Sequence, residues 1–292
     1  VTVKYLKENI LGDIQLTEAG IAYMQSKPRQ FFEDLSKLFS GEVRYHVPIY
    51  QRPYSWGNDE LRSLIENLSD AFQKQEPVFM GTIQFSAPVP LDPDGKKRSY
   101  DIIDGQQRLT TFLILQCVLD ALTGNDSNEK FKTILYTHVN RGSAQEDLDE
   151  FFSDLKSVKD IERLGEKTHN KYSQNAKELY RLIKEFFSNK DKCDSIPKDP
   201  LKELSNFITE NIQFIVIETH ANLSKTLKIF DTINTTGLDL GTSDLFKIRF
   251  YDYRTHICGD DDDIFNRISE IYQSIDNRKR DHPEKPSFSM DD

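Results

Sequence analysis

Tyr100-Asp101-Ile102-Ile103-Asp104-Gly105-Gln106-Gln107-Arg108-Leu109-Thr110-Thr111 is the stretch on which the reading of this chain turns. Its first four residues suit a strand, Asp104-Gly105 is a turn pair, and Leu109, Phe112, Leu113 and Cys117 recur at helical spacing. A strand that feeds a tight turn and opens a helix gathers unpaired N–H groups and the positive end of the helix dipole at one point, which attracts anions such as phosphate. Gly105 lets backbone approach a ligand closely. Arg108 brings a planar cation suited to phosphate, Gln106 and Gln107 offer donors and acceptors, and Asp104 is placed to hold a metal ion or orient a water. The plain alternative is a turn and a solvated first helical turn. Two glutamines and an arginine between an apolar strand and an apolar helix weigh against it.

Working outward, Val47-Pro48-Ile49-Tyr50-Gln51-Arg52-Pro53-Tyr54-Ser55-Trp56 is an irregular stretch stiffened by two prolines. Trp56 reads as a core anchor under a loop. Gln51 and Arg52 gain nothing by burial and read as ligand contacts on a pocket wall. Further along, Phe230 to Lys247 places Asn234 at a helix end, Gly237 in a turn, and Asp244 and Lys247 in the first turn of another helix. Ordinary helix caps and a ligand-contacting turn remain equally open there.

Periodicity organises the rest. Phe31, Phe32, Leu35, Leu38 and Phe39 predict an amphipathic helix ending near Gly41, and Val43 to Ile49 a strand broken by Pro48. Asn58 or Asp59 caps a helix whose core face is Leu61, Leu64, Ile65, Leu68 and Phe72. Phe79 to Phe85 reads as a strand and Tyr100 to Ile103 as its hairpin partner across the turn signal Leu91 to Gly95. Phe214 to Glu218 is a buried strand by composition, and Leu223 to Ile233 a helix. The expected class is α+β: an N-terminal extension (1–30), a first part of the core (31–124), a helical insertion or subdomain (125–211), a second part of the core (212–255) and a C-terminal helix and tail (256–292).

Composition narrows the function. The 292 residues are 37% hydrophobic and 29% charged, a globular balance, and 19 Phe with 12 Tyr argue against disorder. A net charge of -10 leaves no basic sheath for non-specific DNA binding, and Lys96-Lys97-Arg98 and Arg278-Lys279-Arg280 read as solvated loop charges. Cys117, Cys193 and Cys258 are too scattered for a zinc site or a disulfide framework, which fits a cytoplasmic setting. No apolar run is long enough to span a bilayer, so no membrane partner is expected. The chain opens on Val1 and reads as a fragment of something longer. There is no GxxxxGK[ST], GxSxG or HExxH pattern, so P-loop, α/β-hydrolase and zincin chemistry are not expected.

Pro48-x-Tyr50-Gln51-Arg52-x-Tyr54-x-Trp56, Phe79-x-Gly81-x-Ile83, the box Asp104 to Arg108, and the Asn234, Gly237, Asp244, Leu245, Lys247 series together resemble the N-terminal domain of GmrSD-type restriction enzymes, over about residues 31–250. The resemblance implies a small ParB/sulfiredoxin-like mixed sheet with a helical subdomain. It implies binding and hydrolysis of a nucleoside triphosphate with Mg²⁺, serving cleavage of foreign or modified DNA. Carried onto this chain, it implies catalytic roles for Asp104, Gln106, Gln107 and Arg108, with Asp104 also toward Mg²⁺, and nucleotide contacts from Gln51, Arg52, Gly105, Thr111, Asn234, Asp244 and Lys247. Implied partners are DNA, a nuclease domain or subunit of the His-Asn-His type, and a second copy of the chain. Two alternatives stay beside it: a ParB-like nuclease, and a non-enzymatic module that recognises modified DNA or a partner protein.

Overall fold

A computed structural model describes residues 6–8, 14–16, 29–48, 51–86, 98–125, 128–139, 143–155, 158–163, 170–188 and 200–219. Two short strands, β1 (Leu6–Glu8) and β2 (Ile14–Leu16), form an antiparallel pair of their own. The main sheet is built from β3 (Arg29–Asp34), β4 (Val43–Val47), β5 (Val78–Ser86), β6 (Arg98–Asp104), β7 (Leu135–Thr137) and β8 (Ile212–Thr219). Their order across the sheet is β3-β8-β5-β6-β4-β7. The β3/β8 and β5/β6 pairs are antiparallel, whereas β8/β5, β6/β4 and β4/β7 are parallel. Strands and helices in one mixed layer arrangement make this the α+β fold that the sequence predicts.

The helices are α1 (Leu35–Leu38), α2 (Asn58–Lys74), α3 (Gln106–Thr123), α4 (Asn128–Phe131), α5 (Ser143–Asp154), α6 (Val158–Arg163), α7 (Lys171–Ser188) and α8 (Pro200–Asn211). The central one is α3. It is apolar nearly all round, so it is buried nearly all round rather than along one stripe. It packs against α6, α7 and α8, while α7 also packs against α2. Phe112 of α3 meets Phe214 of β8 edge to face, centroids 5.5 Å apart, which locks helix to sheet. Phe72 of α2 and Phe207 of α8 meet in the same way at 5.4 Å. One continuous hydrophobic cluster runs through all of these.

Four expectations need comment. The hairpin of β5 with β6 is present, with Phe85 opposite Ile102 and a bulge beside Gln84. Residues 31–39 are not one helix: β3 runs to Asp34, and only Leu35–Leu38 is helical, capped by Asp34 Oδ1 accepting from the Lys37 N–H at 3.1 Å. A short apolar run does not distinguish the two periods; pairing with β8 along all of β3 does. The N-cap of α2 is Gly57, not Asn58 or Asp59, and Glu60 reaches back to accept the Gly57 N–H at 2.8 Å. Within the stretch read as helical, Leu135–Thr137 is a strand that extends the sheet beside β4.

Phe112 is 0% exposed, so Phe112→Ala is expected to lower unfolding free energy by about 3–5 kcal/mol, read from urea denaturation.

Candidate functional site

The start of α3 carries the site. Gly105 has φ +91°, a left-handed conformation, and its C=O accepts the first helical bond from the Leu109 N–H at 2.9 Å. A Cβ here would stand 3.0 Å from Ile83 Cγ1 and 3.3 Å from Ile83 Cα, so glycine is required by both conformation and space. No side chain caps the helix and no acidic residue sits in its first turn. Among the described residues the first-turn N–H groups therefore have no side-chain cap, and the nearest carboxylate in sequence is Asp104, one residue before Gly105.

Gln107 is 8% exposed and fully committed. Its Oε1 accepts from the Ser55 N–H (2.9 Å) and the Trp56 N–H (3.3 Å). Its Nε2 donates to Pro53 O (3.0 Å) and Gln106 Oε1 (3.1 Å). Gln51 is buried too, and its Nε2 donates to Ile102 O (3.1 Å) and Ile103 O (2.8 Å) of β6. The loop 51–57 is thus stapled at one end to the sheet and at the other to α3. Gln51, read from sequence as a ligand contact, is a staple because the loop's own geometry leaves strand carbonyls to satisfy.

A hydroxyl chain completes the staple. Thr111 Oγ1 donates to Gln107 O at 2.8 Å, so Tyr54 OH must be the donor to Thr111 Oγ1, also at 2.8 Å. Asn175 Nδ2 of α7 then donates to Tyr54 OH and to Trp56 O, both at 2.9 Å. Burial pushes the Tyr54 hydroxyl up to about 12, against the pull of its Thr111 and Asn175 hydrogen bonds. Asn175 escaped the sequence reading. Its one signal was a polar residue on the buried face of an amphipathic helix. Trp56 is half-buried and packs against the core, as an anchor should.

Arg108 clasps β5. Its Nη1 donates to Met80 O (3.0 Å), and its Nη2 to Thr82 O (2.7 Å) and Asp104 Oδ2 (3.2 Å). Between those carbonyls lies Gly81, at φ +95°, where the pairing of β5 with β8 shifts register. A Cβ on Gly81 would lie 2.2 Å from Arg108 Nη1. The Phe79-x-Gly81-x-Ile83 pattern therefore makes room for the guanidinium.

Asp104, Gly105, Gln106, Gln107, Arg108, Thr111, Gln51 and Arg52 thus gather around one turn. What remains unengaged or partly exposed there is a smaller set. Arg52 is half-buried and forms no hydrogen bond or ion pair with the described residues. The side chains of Asp104 and Arg108 are 32% and 25% exposed. Asn234, Asp244 and Lys247 lie outside the described residues. Two cavities lie elsewhere, one between α2 and α7 and one beside α1, and neither is lined by residues of this turn. Among the described residues no cluster of three or more His, Cys, Asp or Glu could hold a metal ion, and no helix is long and apolar enough to cross a membrane. Gln107→Ala would strand the Ser55 and Trp56 N–H groups, and a loss of about 1–3 kcal/mol is expected by thermal or urea unfolding. Gly81→Ala is expected to be destabilising as well, by evicting Arg108 from the Met80 carbonyl.

Comparison with known proteins places this architecture. The chain is 25% identical over 249 residues to an uncharacterized protein of Methanocaldococcus jannaschii, a match that takes in 75% of this chain and 41% of that protein. The chain therefore spans about two-fifths of the length of the curated relative it matches. The family model for the GmrSD restriction endonuclease N-terminal domain matches residues 35–251, from the first residue of α1 through both halves of the staple and beyond β8. On that match, which takes in most of the chain, the protein belongs to the GmrSD restriction endonuclease N-terminal domain family.

Proposed function

We propose that this domain is the nucleotide-handling regulatory unit of a DNA restriction system, and that it binds and hydrolyses a nucleoside triphosphate at the start of α3. The observation that carries the reading is the uncapped first turn of α3, set beneath a loop whose Arg52 is uncommitted among the described residues. Arg52 and the first-turn N–H groups hold phosphate oxygens. Arg108, already spent on two carbonyls, contributes charge and fixes β5 beneath the turn. Gln106 is anchored through its Oε1 by Gln107 and offers its Nε2.

Asp104 is the acceptor in this scheme. Its Oδ2 accepts from Arg108, which fixes the carboxylate beside the guanidinium. It orients a water for attack on the terminal phosphorus, the bond to the bridging oxygen breaks, and nucleoside diphosphate and inorganic phosphate leave. Magnesium accompanying the triphosphate would neutralise phosphate charge, and Asp104, the one carboxylate of the box, would be the residue to hold it. In this reading the hydrolysis governs a nuclease domain or subunit of the His-Asn-His type that acts on foreign or modified DNA, in the cytoplasm and with a second copy of the chain as a candidate partner.

Phosphate release measured with each of the four common triphosphates tests the proposal. Arg52→Ala is expected to raise KM by about tenfold or more, the value of one charged hydrogen bond. Asp104→Asn is expected to lower kcat with little change in KM. Wild-type turnover in both variants would remove the assignment. Metal-dependent nicking of DNA by the chain, lost in Asp104→Ala, would favour a nuclease in its place, and binding of modified duplex with no nucleotide turnover would favour a recognition module.

A further inference from the structure

Beside α1 and the strands β4, β5, β6 and β8 lies a cavity of about 280 Å³ that the nucleotide reading does not use. Its walls carry three carboxylates (Glu33, Glu42 and Glu218) against one cation, Lys37, with the rings of Tyr45, Phe85 and Tyr100. Glu218 is 8% exposed, and its carboxylate forms no hydrogen bond or ion pair with any described residue. Glu33 Oε2 is buried without a hydrogen-bond partner. Lys37 Nζ stands 3.8 Å from it, too far for a hydrogen bond, on a side chain 61% exposed. Burial raises the Glu33 carboxyl above its usual range, Lys37 pulls the other way, and Asp34 adds to the rise. A buried carboxylate oxygen with no hydrogen bond is costly, and this hollow holds one in Glu33 Oε2, met by Lys37 only at ion-pair distance, beside the largely buried Glu218.

The rings supply the other half. Tyr45 stacks on Phe85 at 4.8 Å, and Phe85 meets Tyr100 at 5.7 Å. The Tyr45 hydroxyl is already spent on Leu38 O at 3.0 Å, so what Tyr45 offers the cavity is its ring. Carboxylates are acceptors only, and aromatic faces attract positive charge. We propose that this cavity binds an organic cation, an alkylammonium or guanidinium group held between Glu33 and Glu218 with its carbon chain lying on the three rings. A phosphate-bearing ligand is disfavoured by the same three carboxylates. The inference does not depend on the nucleotide reading, since none of its residues lies in the α3 turn.

Calorimetric titration of the whole chain with spermidine and with N-acetyl-arginine amide, at fixed ionic strength, tests it. N-acetyl-citrulline amide serves as the neutral isostere, and Glu66→Gln as a charge control on another surface. Saturable binding of a cation is expected, weakened about tenfold or more in Glu218→Gln and Glu33→Gln and unchanged in Glu66→Gln. Binding of spermidine alone identifies a free polyamine as the ligand; binding of the arginine amide identifies a side chain of a protein partner. Glu218→Gln removes an unpaired buried charge, so its unliganded Tm is expected to equal or exceed that of the wild type. No saturable binding of either cation, equal binding of the citrulline probe, wild-type affinity in Glu218→Gln, or a lowered Tm in that variant would each overturn the proposal.

Discussion

A buried main-chain group must find a partner, and two segments of this domain give up the partners that regular structure supplies. The loop 51–57 crosses the end of the sheet without strand pairing, and β5 shifts register at Gly81. Gln107, Gln51 and Arg108 make good the deficit, with their amides and guanidinium on Pro53, Ser55, Trp56, Ile102, Ile103, Met80 and Thr82. Side-chain clasps of this kind are directional and dry, so they set the loop's position far more tightly than apolar contact alone. The packing of α3, the shape of the turn at Gly105 and the placement of Arg52 all follow from them.

This changes how the box from Asp104 to Arg108 performs its work. Its most eye-catching members are scaffolding. Gln107 has no valence left for a ligand, and Arg108 is shared among three acceptors. In the reading proposed above, ligand chemistry falls to the groups the scaffold leaves unspent: the first-turn N–H groups, the Gln106 Nε2, Asp104 and Arg52. A rigid surround suits such a task, because electrostatic stabilisation by fixed dipoles costs no reorganisation when charge develops.

Strand β6 connects two regions of opposite electrostatic preference. At Asp104 it runs into a helix start that draws anions; four residues earlier, Tyr100 lines a hollow walled by carboxylates. Along an extended strand that separation is roughly 13 Å, beyond a physiological Debye length of about 8 Å, so the two proposed sites would interfere little through solvent. The net charge of -10 is an average that does not show how charge is distributed between these two regions.

Much of the scaffold was legible in the residues. Apolar periodicity located α2, α3, β5, β6 and β8, and Asp104-Gly105 marked the turn, because these signals are local and the physics behind them is local. The sequence also singled out Gln51, Gln107, Arg108 and Gly81 as unusual. It could not show that the first three face inward, that Gly81 exists to admit a guanidinium, or that Asn175, more than a hundred residues beyond the loop, completes the staple through Tyr54. Nor could it tell β3 from a helix, or find β7 within a helical stretch, since a short run becomes a strand only when a partner edge is there to bond it. What the chain determined alone is which segments prefer helix, strand or turn. Which polar side chains are spent on backbone and which are left for a ligand was decided by tertiary structure, because hydrogen bonding is a property of pairs and the pairs meet only after folding.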